Sequence, residues 1–105
     1  MPSEFREVFK SRSRSSDENF TILYRHNKLD VARIGMAVSA KNINLATARN
    51  RIKRLIRESF RHKKEGLKGL DIVVTVKKNI HISNNRTVSQ SLANHWEKLK
   101  QCENS

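Results

Sequence analysis

The sequence is poor in the residues that build disulfide, metal or membrane frameworks. Its 105 residues include one cysteine, one proline and three glycines. A single thiol, Cys102, excludes an internal disulfide and supplies no pair of zinc ligands. No apolar run approaches the roughly 20 residues of a membrane span, and residues 1–10 carry charges of both signs, unlike a secretory signal. We therefore expect a cytoplasmic protein without a membrane partner.

Acidic side chains are also scarce, and they are scattered. There are 10 Asp and Glu against 22 Lys and Arg, and only Asp17 and Glu18 are adjacent. A nuclease that works through two metal ions needs clustered carboxylates, which this pattern does not provide. The histidines have no evident partners and are interpreted as solvated surface residues: His26, His62, His81 and His95. The sequence predicts no catalytic residue and no metal site in the protein.

Positive charge is what the sequence has in excess. The net charge of +12 and the pI near 10.6 point to a polyanionic partner, a nucleic acid rather than a membrane surface. Disorder is the alternative for so polar a chain, but the apolar residues beyond Asn19 are too regularly patterned for it. The length allows one domain, residues 1–105.

The charge is concentrated in one predicted helix. Residues 49–64 contain eight Lys or Arg and one acid, Glu58, and the sequence predicts a cap at Asn42 or Asn44 and an end at Gly66. Apolar residues recur at helical spacing on one side: Ala48, Ile52, Leu55, Ile56 and Phe60. A solvated basic helix normally has interleaved glutamates, so the isolation of Glu58 favours contact with a nucleic acid, either RNA or DNA.

The remaining pattern predicts an α+β fold in the order helix, strand, strand, helix, strand, helix. The first helix carries Phe5, Val8 and Phe9 on one face, and residues 11–19 are predicted to be a polar loop. The strands are predicted at residues 20–25, 33–39 and 71–77, the last of them apolar on both faces and therefore interior. A second amphipathic helix carries an apolar stripe of Val88, Leu92, Trp96 and Leu99.

Four aromatic residues allow two interpretations. Phe5 and Phe9 on the first helix, with Phe20 and Tyr24 on the first strand, could line a trough on which unpaired bases stack. They could equally fill the core between helix and sheet, and spacing alone favours the core. Trp96 is expected to be a core residue.

Several segments resemble one family. RNRIKRLIRESFR at residues 49–61 is similar to the signature of the protein subunit of bacterial ribonuclease P. RIGMAVS at residues 33–39, DIVV at residues 71–74 and the Phe-x-x-Val-Phe spacing at residues 5–9 agree with the same family. The resemblance covers nearly the whole chain. A structural RNA-binding protein, such as a ribosomal one, fits the composition but not this long signature, and a protein that cuts RNA unaided fits poorly with the scattered acids.

The resemblance implies a fold, a function and partners. The fold would be a single-domain α/β sandwich with a left-handed crossover, against the general right-handed rule. The chain would assist a catalytic RNA that uses magnesium ions to remove the 5′ leader from precursor tRNA. Its partners would be that RNA and precursor tRNA, and the free protein would be a monomer that binds no cofactor itself.

The resemblance also implies binding residues by position. Contacts to the RNA subunit would come from Lys41, Arg49, Asn50, Arg51, Lys53, Arg54, Arg57 and Arg61. Contacts to the leader would come from Phe5, Phe9, Phe20 and Tyr24. In the family a tyrosine often stands at the position of Leu23, and here Tyr24 follows it.

Overall fold

The computed structural model describes residues 13–78, 80 and 85–103, with side chains described up to residue 100. Four strands, two α-helices and a short 3-10 helix follow one another in that part of the chain. In chain order they are β1 (Arg14–Ser16), β2 (Phe20–His26), β3 (Arg33–Ala37), α1 (Ala46–Lys63), the 3-10 helix (Lys64–Leu67), β4 (Leu70–Val76) and α2 (Asn85–Glu103). The predicted helix that contains Phe5 and Phe9 lies outside the described residues.

The strands form one sheet in the order β1-β2-β4-β3. Strand β4 lies in the interior, antiparallel to β2 and parallel to β3, and all but one of its residues are buried. This confirms the interior position that its two apolar faces predicted. Helix α1 joins the adjacent parallel strands β3 and β4, so it is the crossover element, and the left-handed sense implied by the resemblance remains a prediction.

The two helices share one hydrophobic core with one face of the sheet. Helix α1 contributes Ile52, Ile56 and Phe60 to it. Helix α2 contributes the complete predicted stripe of Val88, Leu92, Trp96 and Leu99. The Trp96 indole N–H donates to Ser59 Oγ at 2.8 Å and its ring packs edge-on against Phe60, with centroids 6.0 Å apart. Trp96 is therefore the core residue that its spacing predicted, with its one polar atom satisfied by α1.

The predicted ends of α1 are wrong. Its N-cap residue is Leu45, in extended conformation and without a capping side chain. Asn42 instead donates its side-chain amide to the Val76 carbonyl at 2.8 Å, so it ties the β3–α1 loop to β4. At the other end α1 stops at Lys63, and Gly66 lies within the 3-10 helix. A Cβ at Gly66 would stand 3.0 Å from Cε of Lys100, the flexible end of an α2 side chain that can move aside.

The predicted loop at residues 11–19 contains a strand, β1. Strand β1 forms a hairpin with β2, and at the turn Asp17 Oδ1 accepts the backbone N–H groups of Asn19 and Phe20, both at 2.8 Å. Composition concealed this strand because β1 is polar: only Ser15 is buried, and its neighbours are exposed. A three-residue edge strand therefore gives almost no periodic signal.

Candidate nucleic-acid interface

The surface of α1 opposite the core is cationic. The helix buries one apolar face, so its arginines are directed outward or to the flanks. Four arginines of the predicted RNA-binding set are exposed or half-buried along it: Arg49, Arg51, Arg54 and Arg57. Asn50 and Arg61 are also exposed, and Lys53 is half-buried. The structure thus brings seven of the eight predicted residues onto one helix, whereas Lys41 is exposed in the preceding loop.

Three of these arginines donate to protein acceptors, and two of them, Arg49 and Arg51, reach acceptors outside the helix. The Arg49 guanidinium donates to the carbonyls of Ile43 at 2.9 Å and Asn44 at 3.1 Å, and so folds the β3–α1 loop against the helix. Arg51 donates to the side-chain oxygen of Asn85, which links α1 to the start of α2. Their guanidinium groups are oriented before any partner arrives, which reduces the entropy lost on binding.

Arg61 is the third arginine with a protein partner. Its guanidinium donates to Glu58 Oε2 at 2.8 Å, three residues earlier on the same helix. This hydrogen bond and the charge of Arg61 lower the pKa of Glu58. Glu58 is the single acid within α1 and is bound to its own neighbour, so it neutralises little of the remaining charge.

Lys53, Arg54 and Arg57 make no side-chain hydrogen bond or ion pair with any other residue that the structure describes. Arg54 and Arg57 are also exposed. Like charges this close repel one another, so a polyanion that approaches this surface relieves an existing repulsion. Cations without protein partners are the groups that release counterions when they neutralise phosphates.

The predicted leader-binding aromatics are not brought together in the described part of the chain. Phe20 is completely buried on the helix-covered face, where its ring meets His95 edge-on with centroids 6.3 Å apart. Tyr24 lies on the same face and is half-buried against the core. This is the core placement that spacing favoured. Phe5 and Phe9 fall outside the described residues, so their role remains a prediction.

The other face of the sheet, which we call the outer face, has a different composition. Strand register places its residues in three rows. From one end of the sheet to the other, the rows are Arg25–Asp71–Arg33, then Arg14–Leu23–Val73–Gly35, then Ser16–Thr21–Thr75–Ala37. Leu23 and Val73 form a small buried cluster at its centre. The position next to Tyr24, rather than Tyr24 itself, therefore belongs to the outer face.

Asp71 provides the negative charge of the first row. Arg33 binds it with two hydrogen bonds of 2.7 Å, and Asn27 donates a third at 2.9 Å. Burial raises the pKa of Asp71, but the hydrogen bonds and the charge of Arg33 outweigh that effect and lower it overall. This carboxylate is fully engaged in holding β3 to β4, which leaves it unsuited to catalysis.

His95 is a titratable residue whose predicted surface position is wrong. The sequence predicts a solvated side chain, but only 1% of the His95 side chain is exposed. Its Nδ1 lies 2.6 Å from Ser15 Oγ and its Nε2 lies 3.1 Å from Asp17 Oδ2. Its spacing one residue before Trp96 carried a signal, since positions 91, 92, 95, 96 and 99 repeat as one wide helical face.

The described residues hold no group of three or more His, Cys, Asp or Glu that could bind a metal ion. Asp17 of the adjacent acidic pair is occupied by hydrogen bonds within the protein. None of the helices in the described ranges is long and apolar enough to cross a membrane. Fold and surface together define a small α+β nucleic-acid-binding protein.

Comparison with known proteins identifies the family. The family model described as Ribonuclease P matches residues 1–100. A ribonuclease P protein component from Nitrosococcus oceani is 42% identical over 105 residues, covering 99% of this chain and 88% of that one. The component from Escherichia coli K12 is 43% identical over 97 residues, covering 92% and 82%. The chain belongs to the ribonuclease P protein family.

Solved structures agree with this assignment. The structure of the RNase P protein from Thermotoga maritima matches with a TM-score of 0.78 and 35% identity, covering 94% of this chain and 91% of that one. The RNase P protein from Staphylococcus aureus matches with a TM-score of 0.73 and 26% identity, covering 98% and 91%. The predicted α+β class is confirmed, with β1 as an addition to the predicted order.

Proposed function

We propose that this chain is the protein subunit of a ribonuclease P and binds its RNA subunit through the outward surface of α1. The family function is removal of the 5′ leader of precursor tRNA together with that RNA. The observation that carries the residue-level proposal is that Lys53, Arg54 and Arg57 of α1 have no hydrogen-bond or ion-pair partner among the residues that the structure describes. These cations bind phosphates of the RNA.

The other residues of this surface serve in a second way. Arg49, Arg51 and Arg61 are fixed by protein acceptors, so their remaining N–H groups meet the RNA in a set orientation. Asn50 offers an amide on the same exposed side, and Lys41 extends the charge onto the loop before α1. Together they fix the register of the protein on the RNA, while the unpartnered cations supply most of the salt-dependent affinity.

In this proposal the protein contributes binding and the RNA contributes catalysis. Magnesium ions are held through the RNA. The charges of the protein reduce the repulsion between the two RNA molecules, the catalytic RNA and precursor tRNA, and so lower the magnesium concentration needed for assembly. We place the protein in the cytoplasm and expect it to be a monomer when free.

The leader-binding part of the proposal concerns the outer face of the sheet and the N-terminal segment. Phe5 and Phe9 are carried over from the family pattern as stacking residues. Phe20 and Tyr24 face the helices. We therefore propose that they pack under the helix-covered face of the sheet and affect the leader only by holding the sheet in place. The single-stranded leader then lies on the side of the sheet that α1 and α2 leave uncovered.

Reconstitution tests this function directly. The full-length protein is combined with a bacterial ribonuclease P RNA and precursor tRNA at low magnesium. We expect cleavage at the mature 5′ end only when both RNA and protein are present. Absence of stimulation would contradict the subunit assignment. Cleavage by protein freed of RNA would contradict the assignment of catalysis to the RNA.

A further inference from the structure

Strand β1 directs its side chains to two different environments. Ser15 is directed inward and is 8% exposed, whereas Arg14 and Ser16 are directed to the outer face and are exposed. Strand β1 pairs with β2 over three residues and lies at the edge of the sheet. So short an edge strand has few backbone hydrogen bonds, and side-chain contacts must supply the rest of its attachment.

That attachment is a set of four polar side chains, Ser15, Asp17, Ser91 and His95, which we call the β1 clasp. His95 Nδ1 lies 2.6 Å from Ser15 Oγ, and His95 Nε2 lies 3.1 Å from Asp17 Oδ2. Ser91 donates its hydroxyl to the same Asp17 oxygen. The β1 clasp thus joins the β1–β2 hairpin to one face of α2, across about 80 residues of sequence.

The charges within the β1 clasp favour a single arrangement. Burial lowers the pKa of His95, against the opposing effect of Asp17, and Lys98 and Lys77 lower it further. Burial raises the pKa of Asp17, but hydrogen bonds from Ser91, Phe20, Asn19 and His95 outweigh it and lower the pKa to about 2. The Asp17 carboxylate 3.1 Å from Nε2 favours the tautomer with its proton on that nitrogen, which leaves Nδ1 to accept the Ser15 hydroxyl.

On the outer face, the attachment of β1 fixes the backbone position of Arg14. Arg14 pairs with Leu23 in register and makes no hydrogen bond or ion pair with any other described residue. Ser16 follows two positions along, about 6.7 Å further on the same side of the strand. Its hydroxyl lies 3.3 Å from that of Thr21. The edge therefore presents one guanidinium and two neighbouring hydroxyls, without a carboxylate in either row.

We propose that Arg14 binds a backbone phosphate of single-stranded RNA along the β1 edge of the outer face, and that the β1 clasp is the positioning element that holds it there. Arg14 donates to the phosphate in bidentate fashion, and the hydroxyls of Ser16 and Thr21 reach the next phosphate. The inference rests on the proposed function, because the leader is the single strand assigned to this face. It adds a binding residue that the arginine-rich helix does not contain.

The first experiment measures binding of precursor tRNA and of mature tRNA to the assembled holoenzyme. Arg14→Ala is expected to weaken binding of the leader-bearing precursor about five- to tenfold and leave mature tRNA unchanged. The slope of log K against log salt for the precursor should fall by about 0.7, the value for one phosphate of a single strand. Arg14→Lys should retain most of the slope, because it keeps the charge.

Arg86→Ala is the matched control, since it removes an exposed guanidinium from α2. It should leave the ratio of precursor affinity to mature tRNA affinity at the wild-type value. If Arg14→Ala leaves that ratio and the salt slope unchanged while the wild-type holoenzyme cleaves precursor, the inference fails and the proposed function stands. A wild-type holoenzyme that fails to cleave overturns the proposed function itself.

The second experiment tests whether the β1 clasp acts through Arg14. Ser15→Ala removes the hydroxyl that contacts His95 with a small change in volume. The ratio of its affinity for precursor tRNA to its affinity for mature tRNA should fall, as in Arg14→Ala. In the double variant with Arg14→Ala the two losses should not add, because both remove the same phosphate contact. Fully additive losses, or equal losses for precursor and mature tRNA, would show that the β1 clasp only stabilises the fold.

Discussion

Arginine performs two different tasks on α1, and its hydrogen-bond partners distinguish them. Arg49 and Arg51 donate to groups of the protein, and so organise the loop before α1 and the contact with α2. Arg54 and Arg57 point to solvent and have no partner among the described residues. A sequence pattern counts all four as positive charge, and only their surroundings separate them.

This difference predicts the behaviour of two arginine variants on α1. Arg54→Ala and Arg57→Ala should each weaken assembly with the RNA subunit and reduce the slope of log K against log salt by about 0.7 to 0.9, because each removes a phosphate contact. Unfolding in urea should be unchanged, because neither side chain contacts the core. Lys98→Ala, which removes an exposed cation from α2, is the control and should keep the wild-type slope.

Arg49→Ala should act differently from both. It removes donors to two loop carbonyls, so its expected loss of stability is about 1 kcal/mol in addition to any loss of RNA affinity. Salt slopes that stay at the wild-type value in both Arg54→Ala and Arg57→Ala would contradict the role assigned to α1.

Histidine 95 shows why residue-scale prediction stopped short. Its buried position follows from the helical repeat, because it borders Trp96 and lies four residues after Ser91. Its partners Ser15 and Asp17 lie in the segment interpreted as a loop. A side chain whose partners lie about 80 positions away leaves no local signal of its pairing.

At the scale of elements, periodicity located the helices and strands better than it located their ends. Strand β4 is interior and both helices bury their predicted apolar faces, because burial of apolar side chains dominates their energetics. The predicted N-cap of α1 is wrong, because the Asn42 side chain donates to the Val76 carbonyl of β4 instead. A polar side chain near a helix start can satisfy the helix or a neighbouring strand, and the fold chooses between them.

The uncapped start of α1 predicts a stabilising substitution. Leu45 is 65% exposed and occupies the N-cap with φ −84° and ψ 125°, a conformation in which a serine hydroxyl can accept a helix N–H. Leu45→Ser should raise the free energy of unfolding by about 0.5–1 kcal/mol relative to Leu45→Ala, measured in urea. RNA affinity should be equal in the two variants. A serine variant no more stable than the alanine variant would show that the loop cannot adopt the capping geometry.

At the scale of the molecule, two buried or half-buried carboxylates join distant elements. Asp17 links the β1–β2 hairpin to α2, and Asp71 links β3 to β4 and to the β2–β3 turn. Their pKa values are lowered by the hydrogen bonds that they accept. Both are therefore charged in the folded protein at pH values where the unfolded chain already takes up protons.

Acid should weaken the fold for this reason. The pKa of Asp17 falls from its ordinary value of 3.8 to about 2, so its contribution is complete above about pH 4 and is lost as the pH falls towards 2. Because Asp17 is partly solvated, we expect a loss of about 1 kcal/mol. Asp17→Asn should flatten this part of the curve of unfolding free energy against pH. Glu18→Gln, at its exposed neighbour, should retain the wild-type curve, and an equal flattening there would contradict the assignment.

The sequence by itself determined the α+β class, the interior strand, both amphipathic helices and the cationic surface of α1. These features are local, because a repeat of 3.6 or 2 residues and a run of like charge can be read within one segment. The sequence signature also indicated the family, which comparison confirmed.

The tertiary structure alone decided which cations of α1 lack a partner among the described residues, and that residues 14–16 form a strand. It also decided that His95 joins Ser15 and Asp17. Each of these depends on a pairing between residues far apart in the chain. A polar edge strand or a buried histidine is stabilised by its distant partner, so only the folded arrangement reveals it.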